Sequence, residues 1–279
     1  MSVSSLFGLI ASLSVFVLAI FFHTENWRIF MDMPSIVIVL GGALATSFLT
    51  FRGRYVFKAL WTGILTFRGQ KITSASLASD VKQFVVWARI LNKSGLEGLQ
   101  SETKGDIFLQ RAIYLAKQEY SEADFREMMQ DFIDSDFERQ VVSANILSRF
   151  GTISPAFGMV GTLIGMVLML GAMGSNPQGV GAGMSVALTA TLYGLLLAKM
   201  VFEPMAGKIR EILSIERFRR SLILEGFALL LARKDPYYIM DRLNCKLDPK
   251  HIYDFEAERK EASGSKNGKA EKGAEKDAD

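Results

Sequence analysis

Long apolar stretches alternate with polar stretches along this chain, and the first two apolar stretches lie close together at its start. The first runs from Val3 to Phe22 and the second from about Pro34 to Phe51, with a short polar connector between them. About 20 apolar residues in a helix cross a hydrocarbon core of roughly 30 Å. The pattern therefore predicts two transmembrane helices within residues 1–51.

Two further apolar stretches, Ile153 to Met173 and Met184 to Pro204, lie in the second half of the chain. The segment between them, Gly174 to Gly183, is rich in helix breakers and predicts a short connecting turn. Residues 151–205 are therefore predicted to form transmembrane helices three and four.

Residues 52–150 are predicted to form a cytoplasmic domain that includes one interfacial helix. Tyr55 to Phe67 is aromatic and amphipathic but too short to span, so we expect it to lie along the membrane surface. From Ser74 to Arg149 apolar residues recur at helical spacing, with Ser79 or Asp80 as a helix cap. These patterns predict a helical cytoplasmic domain of about 100 residues.

The chain beyond the fourth apolar stretch is polar. Residues 206–255 contain two helical patterns, Ala206 to Arg233 and Pro236 to Leu243. Residues 256–279 contain almost nothing apolar and are expected to form a disordered, charged tail. The predicted fold class is all-α: a polytopic membrane protein with four transmembrane helices and a helical cytoplasmic domain inserted between spans two and three.

Composition and charge support a membrane protein and predict its orientation. With 49% hydrophobic and 22% charged residues, the chain is too apolar for a soluble domain and too charged to be wholly embedded in lipid. Arg52, Arg54 and Lys58 directly follow the second apolar stretch, and more basic residues follow the fourth. The positive-inside rule places both termini and the inserted domain in the cytoplasm, and the connector between spans one and two in the periplasm.

Several function classes lack the residues that they need. The net charge is only +3, and the basic residues form no patch interleaved with aromatic residues, so nucleic-acid binding is not indicated. The single cysteine, Cys245, cannot form an internal disulfide, and no Cys/His cluster has metal-ligand spacing. No nucleophile, base or nucleotide-binding loop is visible, so we expect neither an enzyme nor a bound metal or cofactor.

The candidate chemistry lies in the threonines of the last two spans, Thr162, Thr189 and Thr191, which have no Asp, Glu or His beside them at mid-membrane. An ion relay normally needs an ionisable group there, so either the spans form no ion path or a partner supplies the carboxylate. Threonine hydroxyls suit the wall of such a path, but they also bond to their own helix or to a neighbouring one. Thr189 and Thr191 are about 200° apart on a helix and cannot both face one pore.

Glycine and proline mark other special positions in these spans. Gly161 and Gly165 form a GxxxG pattern around Thr162, which favours close contact between helices. Pro155 and Pro204 stand near the ends of spans three and four, where a proline either ends or kinks a helix or marks a hinge.

Two stretches of the chain are similar to the MotA/PomA family of flagellar stator subunits. They are Pro155-Ala-Phe-Gly-Met-Val-Gly-Thr-Leu-Ile-Gly165, preceded by Phe150-Gly151, and Val186-Ala-Leu-Thr-Ala-Thr-Leu-Tyr-Gly194, followed by Met200-Val-Phe-Glu-Pro204. The order of spans and domain also matches the family's layout. The resemblance implies a bacterial inner-membrane subunit of the flagellar motor that conducts Na⁺ or H⁺ and drives motility.

The resemblance also implies partners and residue roles. It implies a homo-oligomer, a pentamer around a dimeric MotB/PomB-like partner whose transmembrane aspartate binds the ion. By resemblance, Thr162 and Thr191 line the path beside that aspartate, and Pro155 and Pro204 couple ion passage to movement. The cytoplasmic domain would act on a FliG-like rotor protein.

The transported ion and the rotor contact are less directly indicated. Asp32 matches an acidic residue that sodium-type members carry at the outer mouth, where a carboxylate concentrates cations. Sodium-type members often have two adjacent threonines where this chain has Ala190 and Thr191, so the sequence favours sodium only slightly over protons. The family's charged rotor contacts correspond to Lys93 and to Glu97 or Glu102; the alternative is an ordinary solvated helix face.

Two other functions stay open at this stage. An ExbB/TolQ-like proton-channel subunit, which energises outer-membrane processes, shares the threonine-bearing spans but typically has three spans with an external N-terminus. A membrane scaffold or receptor without transport would use the threonines only for packing.

Overall fold

The computed structural model describes residues 3–23, 30–66, 74–102, 105–118, 120–174 and 176–247. Within these ranges the regular structure is helical, so the predicted all-α class is confirmed there. The helices are α1 (Val3–His23), α2 (Met33–Thr50), α3 (Gly53–Thr66), α4 (Ser74–Glu102), α5 (Ile107–Ala116), α6 (Glu122–Ala172), α7 (Pro177–Leu196), α8 (Glu203–Leu231) and α9 (Pro236–Asn244). The charged tail, residues 256–279, lies outside the described residues.

Several helices have the length and composition of membrane spans. Among the described residues, three helical runs are long and apolar enough to cross a bilayer: Met33–Thr50, Glu122–Ala172 and Pro177–Leu231. α1 has 21 residues and contains a shorter apolar stretch, Ile10–Phe22. The chain is therefore a helical membrane protein.

The chain divides into two compact units. Unit one comprises Met1–Lys71 and Asp136–Ile215, and unit two comprises Ile72–Ser135 and Glu216–Asp279. α6 and α8 each contribute residues to both units. The domain boundaries predicted at 150/151 and 205/206 both lie inside these helices.

Unit one has a core built by α2, α3, α6 and α8. α3 contributes a face of small residues, in which Val56, Ala59 and Gly63 are buried, while Phe57 and Trp61 are exposed. The other buried residues of this core are Ala43, Ala144, Ile146, Leu147, Phe150, Ile153, Phe202, Met205, Ala206, Ile209 and Leu213. The amphipathic segment therefore packs its small-residue face on protein and turns its aromatic residues outward.

Unit two is organised around three aromatic rings. Phe84 of α4 makes edge contacts with Trp87, with ring centroids 4.9 Å apart, and with Phe227 of α8 at 5.7 Å. The rest of this core comes from α4, α5, α6, α8 and α9. Asp80 is buried in α4 and makes two hydrogen bonds with Arg219, of 2.7 and 3.0 Å. The prediction that Asp80 or Ser79 caps a helix is wrong, because α4 already begins at Ser74.

Two predicted helix ends differ from the structure. α7 begins at Pro177 and not near Met184, because the side chain of Asn176 accepts the N–H of Gln178 and Pro177 suits the first helical turn. The connector predicted over Gly174 to Gly183 was therefore too long. α6 continues for 51 residues through Pro155, so no helix begins where span three was predicted to start.

Candidate functional site

α6 and α7 lie close together where glycine and alanine residues of the two helices face each other. A Cβ atom placed on Gly158 would lie 3.0 Å from the carbonyl oxygen of Ala190, and one on Gly165 would lie 2.5 Å from that of Gly183. The two helices run antiparallel. The close contact predicted from the GxxxG pattern at Gly161 and Gly165 is confirmed, since Gly161 also meets the side chain of Ala190.

Thr162 and Thr191 lie on the same side of the α6–α7 pair. Thr162 follows the contact residue Gly158 by four positions, about 40° around α6, and Thr191 follows Ala190 by one position, about 100° around α7. Both rotations follow the direction of increasing residue number. Because the two helices are antiparallel, they bring the two side chains to the same side of the helix pair. We call this the threonine side; Leu188, which shares it on α7, is 63% exposed.

Both of these threonines donate their hydroxyl proton to their own helix. Thr162 Oγ1 donates to the carbonyl of Met159 at 2.6 Å, and Thr191 Oγ1 donates to that of Ala187 at 3.2 Å. Each oxygen keeps lone pairs with which to accept a hydrogen bond or contact a cation. The back-bonding that the sequence left as an alternative is thus present, and it leaves each oxygen as an acceptor. Ala190, in contrast, is completely buried against α6.

Thr189 and Asp32 lie on the opposite side of α7, which faces α2. Thr189 is 6% exposed, and its Oγ1 lies 2.8 Å from Oγ of Ser35 in α2. Asp32 caps α2 by accepting the N–H of Ser35 at 2.9 Å. The structure therefore does not bring Asp32 to Thr162 and Thr191.

Sequence reasoning missed Ser35 and Tyr193 as members of this site. Tyr193 donates its hydroxyl proton to the carbonyl of Phe30 and accepts the N–H of Asp32 at 3.2 Å. A local signal existed, because Asp32 followed by Pro34 is typical of a helix start, and a capping Asp accepts the N–H of the residue three positions later, here Ser35. The role of Tyr193 had no local signal, since its partners are more than 160 residues away in the chain.

The two prolines mark irregularities in neighbouring helices. Pro155 lies inside α6 and cannot donate to the carbonyl of Gly151, four residues earlier. Pro204 follows a wide π-helical turn, Leu197–Phe202, in which the N–H of Glu203 reaches back five residues to Ala198. Irregularities of this kind accompany bends in helices, and the role of the two prolines in coupling ion passage to movement stays a prediction.

Comparison with known proteins identifies the family. Residues 100–221 match the family model described as MotA/TolQ/ExbB proton channel family. The chain is 30% identical to Motility protein A of Cereibacter sphaeroides over 250 residues, which are 90% of this chain and 97% of that protein. The chain belongs to the MotA/PomA family. It is also 29% identical to Chemotaxis protein PomA of Vibrio alginolyticus over 86% of this chain and 92% of that one.

Solved structures share the fold of this MotA/PomA family member. A structure of C. jejuni MotAB superposes with a TM-score of 0.79 at 24% identity, over 91% of this chain and all of that one. A structure of the flagellar MotAB stator complex from Bacillus subtilis superposes with a TM-score of 0.77 at 23% identity. The family is one of ion-channel stator subunits of the flagellar motor and not of enzymes.

The residues that the family resemblance suggests for the rotor contact lie in unit two. Glu97 is exposed and follows Gly95, whose positive φ of 66° kinks α4. It borders a groove of about 1130 Å³ that Arg111, Tyr114 and Lys117 also line. The side chains of Lys93 and Glu102 lie outside the part of the structure that is described. Within that part, no group of three His, Cys, Asp or Glu residues is placed to hold a metal ion.

Proposed function

We propose that this chain, with a MotB/PomB-like partner, forms a channel that couples an inward flow of sodium ions to torque on the rotor, with protons as the alternative ion. The similar solved structures are described as MotAB, one of them as the flagellar MotAB stator complex. We extend that association to this chain.

The observation that carries the proposal is the threonine side of the α6–α7 pair. Thr162 and Thr191 both face it, and their apolar neighbours Met159 and Leu188 are 61% and 63% exposed. α2 packs on the other side of the pair. A helix from another chain that docks on the threonine side would therefore meet both hydroxyl oxygens at once.

The partner's helix must supply the charge that this chain lacks. Residues 153–198 contain no Asp, Glu or His, whereas an intramembrane ion site normally needs an ionisable group. A transmembrane aspartate of the partner, placed between Thr162 and Thr191, would complete a set of oxygen ligands. Several copies around a partner dimer, a pentamer by the family resemblance, would cover the exposed apolar faces of α6.

Sodium is the ion we favour because of Asp32. Its carboxylate is half-buried at the start of α2, and Ser35 Oγ, which it contacts, lies 3.1 Å from the carbonyl of Val186. Val186 is nine residues into α7, so Asp32 is recessed by roughly 13 Å from the Pro177 end. A fixed carboxylate in such a recess raises the local concentration of cations.

The proposed topology has four spans with both termini in the cytoplasm of a bacterium. α1 has 21 residues and, at 1.5 Å per residue, would cover roughly 31 Å, the thickness of a hydrocarbon core. The basic residues Arg52, Arg54 and Lys58 follow α2 and support a cytoplasmic location for unit two.

The proposal is tested by the swimming speed of cells that rely on this subunit. We expect speed to follow external sodium at constant pH; speed that ignores sodium and tracks the proton gradient would replace sodium with protons. Thr162→Val and Thr191→Val should abolish most of the speed, whereas Leu188→Val, an apolar change on the same face, should not. Full speed in both threonine variants, with normal amounts in the membrane, would contradict an ion path here.

The alternative function is an ExbB/TolQ-like proton-channel subunit, which the family model includes by its description. Reporter fusions to the N-terminus separate the two. An N-terminus outside the cytoplasm would favour the alternative, whereas a cytoplasmic one with α1 and α2 as a pair of spans supports the stator.

For the rotor contact we propose the groove beside Glu97, with Lys93 and Glu102 on the same helix. Exposed charges on a helix attract complementary charges on a partner and set the rate of encounter. We expect Glu97→Lys to reduce torque and a compensating charge change on a FliG-like partner to restore it. Torque unchanged by Glu97→Lys would assign this residue to an ordinary solvated face.

A further inference from the structure

The carboxylate of Asp32 is held by a chain of hydroxyl groups that reaches into α7. We propose that Ser35, Thr189 and Tyr193 are positioning residues for Asp32 and thereby set the cation concentration at which the channel works. The inference rests on the proposed role of Asp32 as a cation-concentrating group on the outer part of the ion path.

Ser35 lies at the centre of this series of hydrogen-bonded groups. Its side chain is completely buried, and its Oγ lies within hydrogen-bond distance of three other oxygens. They are Oδ2 of Asp32, the carbonyl oxygen of Val186 at 3.1 Å and Oγ1 of Thr189 at 2.8 Å. A serine hydroxyl has only one proton, so it can donate to only one of these acceptors at a time.

Charge decides where that proton goes. An ionised carboxylate is the strongest acceptor of the three, so Ser35 donates to Asp32. The contact between Ser35 and Thr189 then uses the proton of Thr189, which otherwise donates to the carbonyl of Ser185 at 2.7 Å. The result is a directed chain from Thr189 to Ser35 to Asp32, in which each bond polarises the next.

A second tie holds the backbone of Asp32 to the same helix. Tyr193 lies four residues after Thr189, one turn along the same face of α7. It accepts the N–H of Asp32 at 3.2 Å and donates to the carbonyl of Phe30. Asp32 is thus fixed to α7 through both its side chain and its backbone.

This arrangement predicts a specific change when it is loosened. A carboxylate that is already oriented attracts a cation without reorganising first, and freeing it weakens that attraction. The chemistry at the partner's carboxylate, beside Thr162 and Thr191 on the other side of α7, is untouched. The ion concentration for half-maximal speed should therefore rise, while the speed at saturating ion stays the same.

The test measures swimming speed against external sodium at constant pH, and against pH at constant sodium, for wild type and variants. For the ion on which the wild-type speed depends, we expect Thr189→Val to raise the concentration that gives half-maximal speed by up to about fivefold. This is the effect of losing one neutral hydrogen bond. Thr189→Ser keeps the hydroxyl and should restore the wild-type value. Ser154→Ala is the matched control, because Ser154 is buried in α6 and bonds only to its own helix, at the carbonyl of Phe150.

A double variant separates positioning from a general packing role. If Thr189 acts through Asp32, adding Thr189→Val to Asp32→Asn should produce no further shift. An equal shift in the Asp32→Asn background, or a Thr189→Val curve that coincides with wild type, overturns the inference while leaving the proposed function intact. A wild type that responds to neither ion overturns both.

A second variant provides a test if Thr189→Val does not accumulate in the membrane. Tyr193→Phe removes the hydroxyl that accepts the N–H of Asp32 and leaves the ring in place. It should raise the half-maximal ion concentration in the same direction. A Tyr193→Phe curve that coincides with wild type would then overturn the inference.

Discussion

Gly151 of α6 lies directly against Glu203 of α8. A Cβ atom placed on Gly151 would stand 3.0 Å from Cγ of Glu203 and 3.7 Å from its backbone nitrogen. Gly151 carries the carbonyl that Pro155 cannot bond, and Glu203 immediately precedes Pro204. The two proline irregularities therefore sit side by side in unit one, and the neighbouring rings of Phe150 and Phe202 stack with centroids 5.0 Å apart.

This relationship predicts that Gly151 must stay small. Gly151→Val would force a branched side chain against Glu203, whose Cγ the Cβ atom alone would already crowd, and such overpacking costs about 1–3 kcal/mol. We expect a lower free energy of unfolding for the purified complex in detergent, and weaker torque from cells that carry it.

Gly207→Val is the matched control for this prediction. Gly207 lies in α8, four residues after Glu203, and a Cβ placed on it meets no atom within 4 Å. It should change stability and torque little. Equal losses in both variants would mean that valine harms these helices by its propensity alone.

A second prediction concerns the close approach of α6 and α7. A Cβ on Gly165 would lie 2.5 Å from the carbonyl oxygen of Gly183 and 2.6 Å from the backbone nitrogen of Ala187, and backbone atoms cannot move aside cheaply. Gly165→Ala should destabilise the protein, although alanine in an open helical position is favoured over glycine by roughly 0.5–1 kcal/mol. Gly171→Ala, in the same helix with no atom within 4 Å, should be neutral or stabilising. Thermal unfolding in detergent measures both, and the same sign for both would contradict the packing argument.

A third prediction concerns the ion pair of Asp80 and Arg219 in unit two. The side chain of Asp80 is 9% exposed, and the hydrogen bonds that Arg219 donates to it, opposed by burial, raise the pKa of Arg219 above its usual range. Asp80→Asn would remove the hydrogen-bonded carboxylate of a partly buried guanidinium, a loss of about 3 kcal/mol. Asp134→Asn breaks the exposed pair with Arg217 and should cost less than about 1 kcal/mol. Denaturant unfolding should separate the two variants; comparable losses would show that the Asp80 pair is no better than a surface pair.

A fourth prediction concerns how the stability of unit two depends on pH through Glu225, which lies beyond the predicted end of span four. Arg126 donates to it at 3.0 Å, while Lys246 and Arg242 lie at 3.5 and 3.7 Å. Burial favours the neutral carboxyl, but the hydrogen bond from Arg126 and the charges of Lys246 and Arg126 outweigh burial and lower the pKa of Glu225 below 4.5. The ionised form therefore contributes stability above that pH, and this contribution is lost as pH falls through the lowered pKa.

Glu225→Gln tests this pH dependence. The variant should be less stable than wild type at neutral pH, and the difference should shrink as pH falls below about 4.5, the range in which an ordinary glutamate takes up its proton. Melting temperature measured against pH for both proteins checks it. A difference that stays constant down to low pH would mean that Glu225 acts through packing and not through its charge.

Local rules predict many of the helices and predict that Thr189 and Thr191 face different sides of α7. Apolar length predicts which segments can cross a membrane, and helical spacing predicts that Thr189 and Thr191 face apart. Apolar length predicted the wrong start for α7. The helix begins several residues earlier because Asn176 caps it and Pro177 suits its first turn. Pattern reasoning also failed at Asp80, because a carboxylate near a helix start can bind a distant arginine instead of a backbone N–H.

The sequence by itself determined the helices, the small residues that let two of them touch, and the absence of a charge at mid-membrane. Only the tertiary structure decided which neighbours each threonine of α7 has. Thr191 lies on the same side of the helix pair as Thr162, whereas Thr189 contacts Ser35. The reason is physical. Periodicity fixes the angle between two residues on one helix, whereas the neighbour that each one meets depends on contacts between segments more than 150 residues apart.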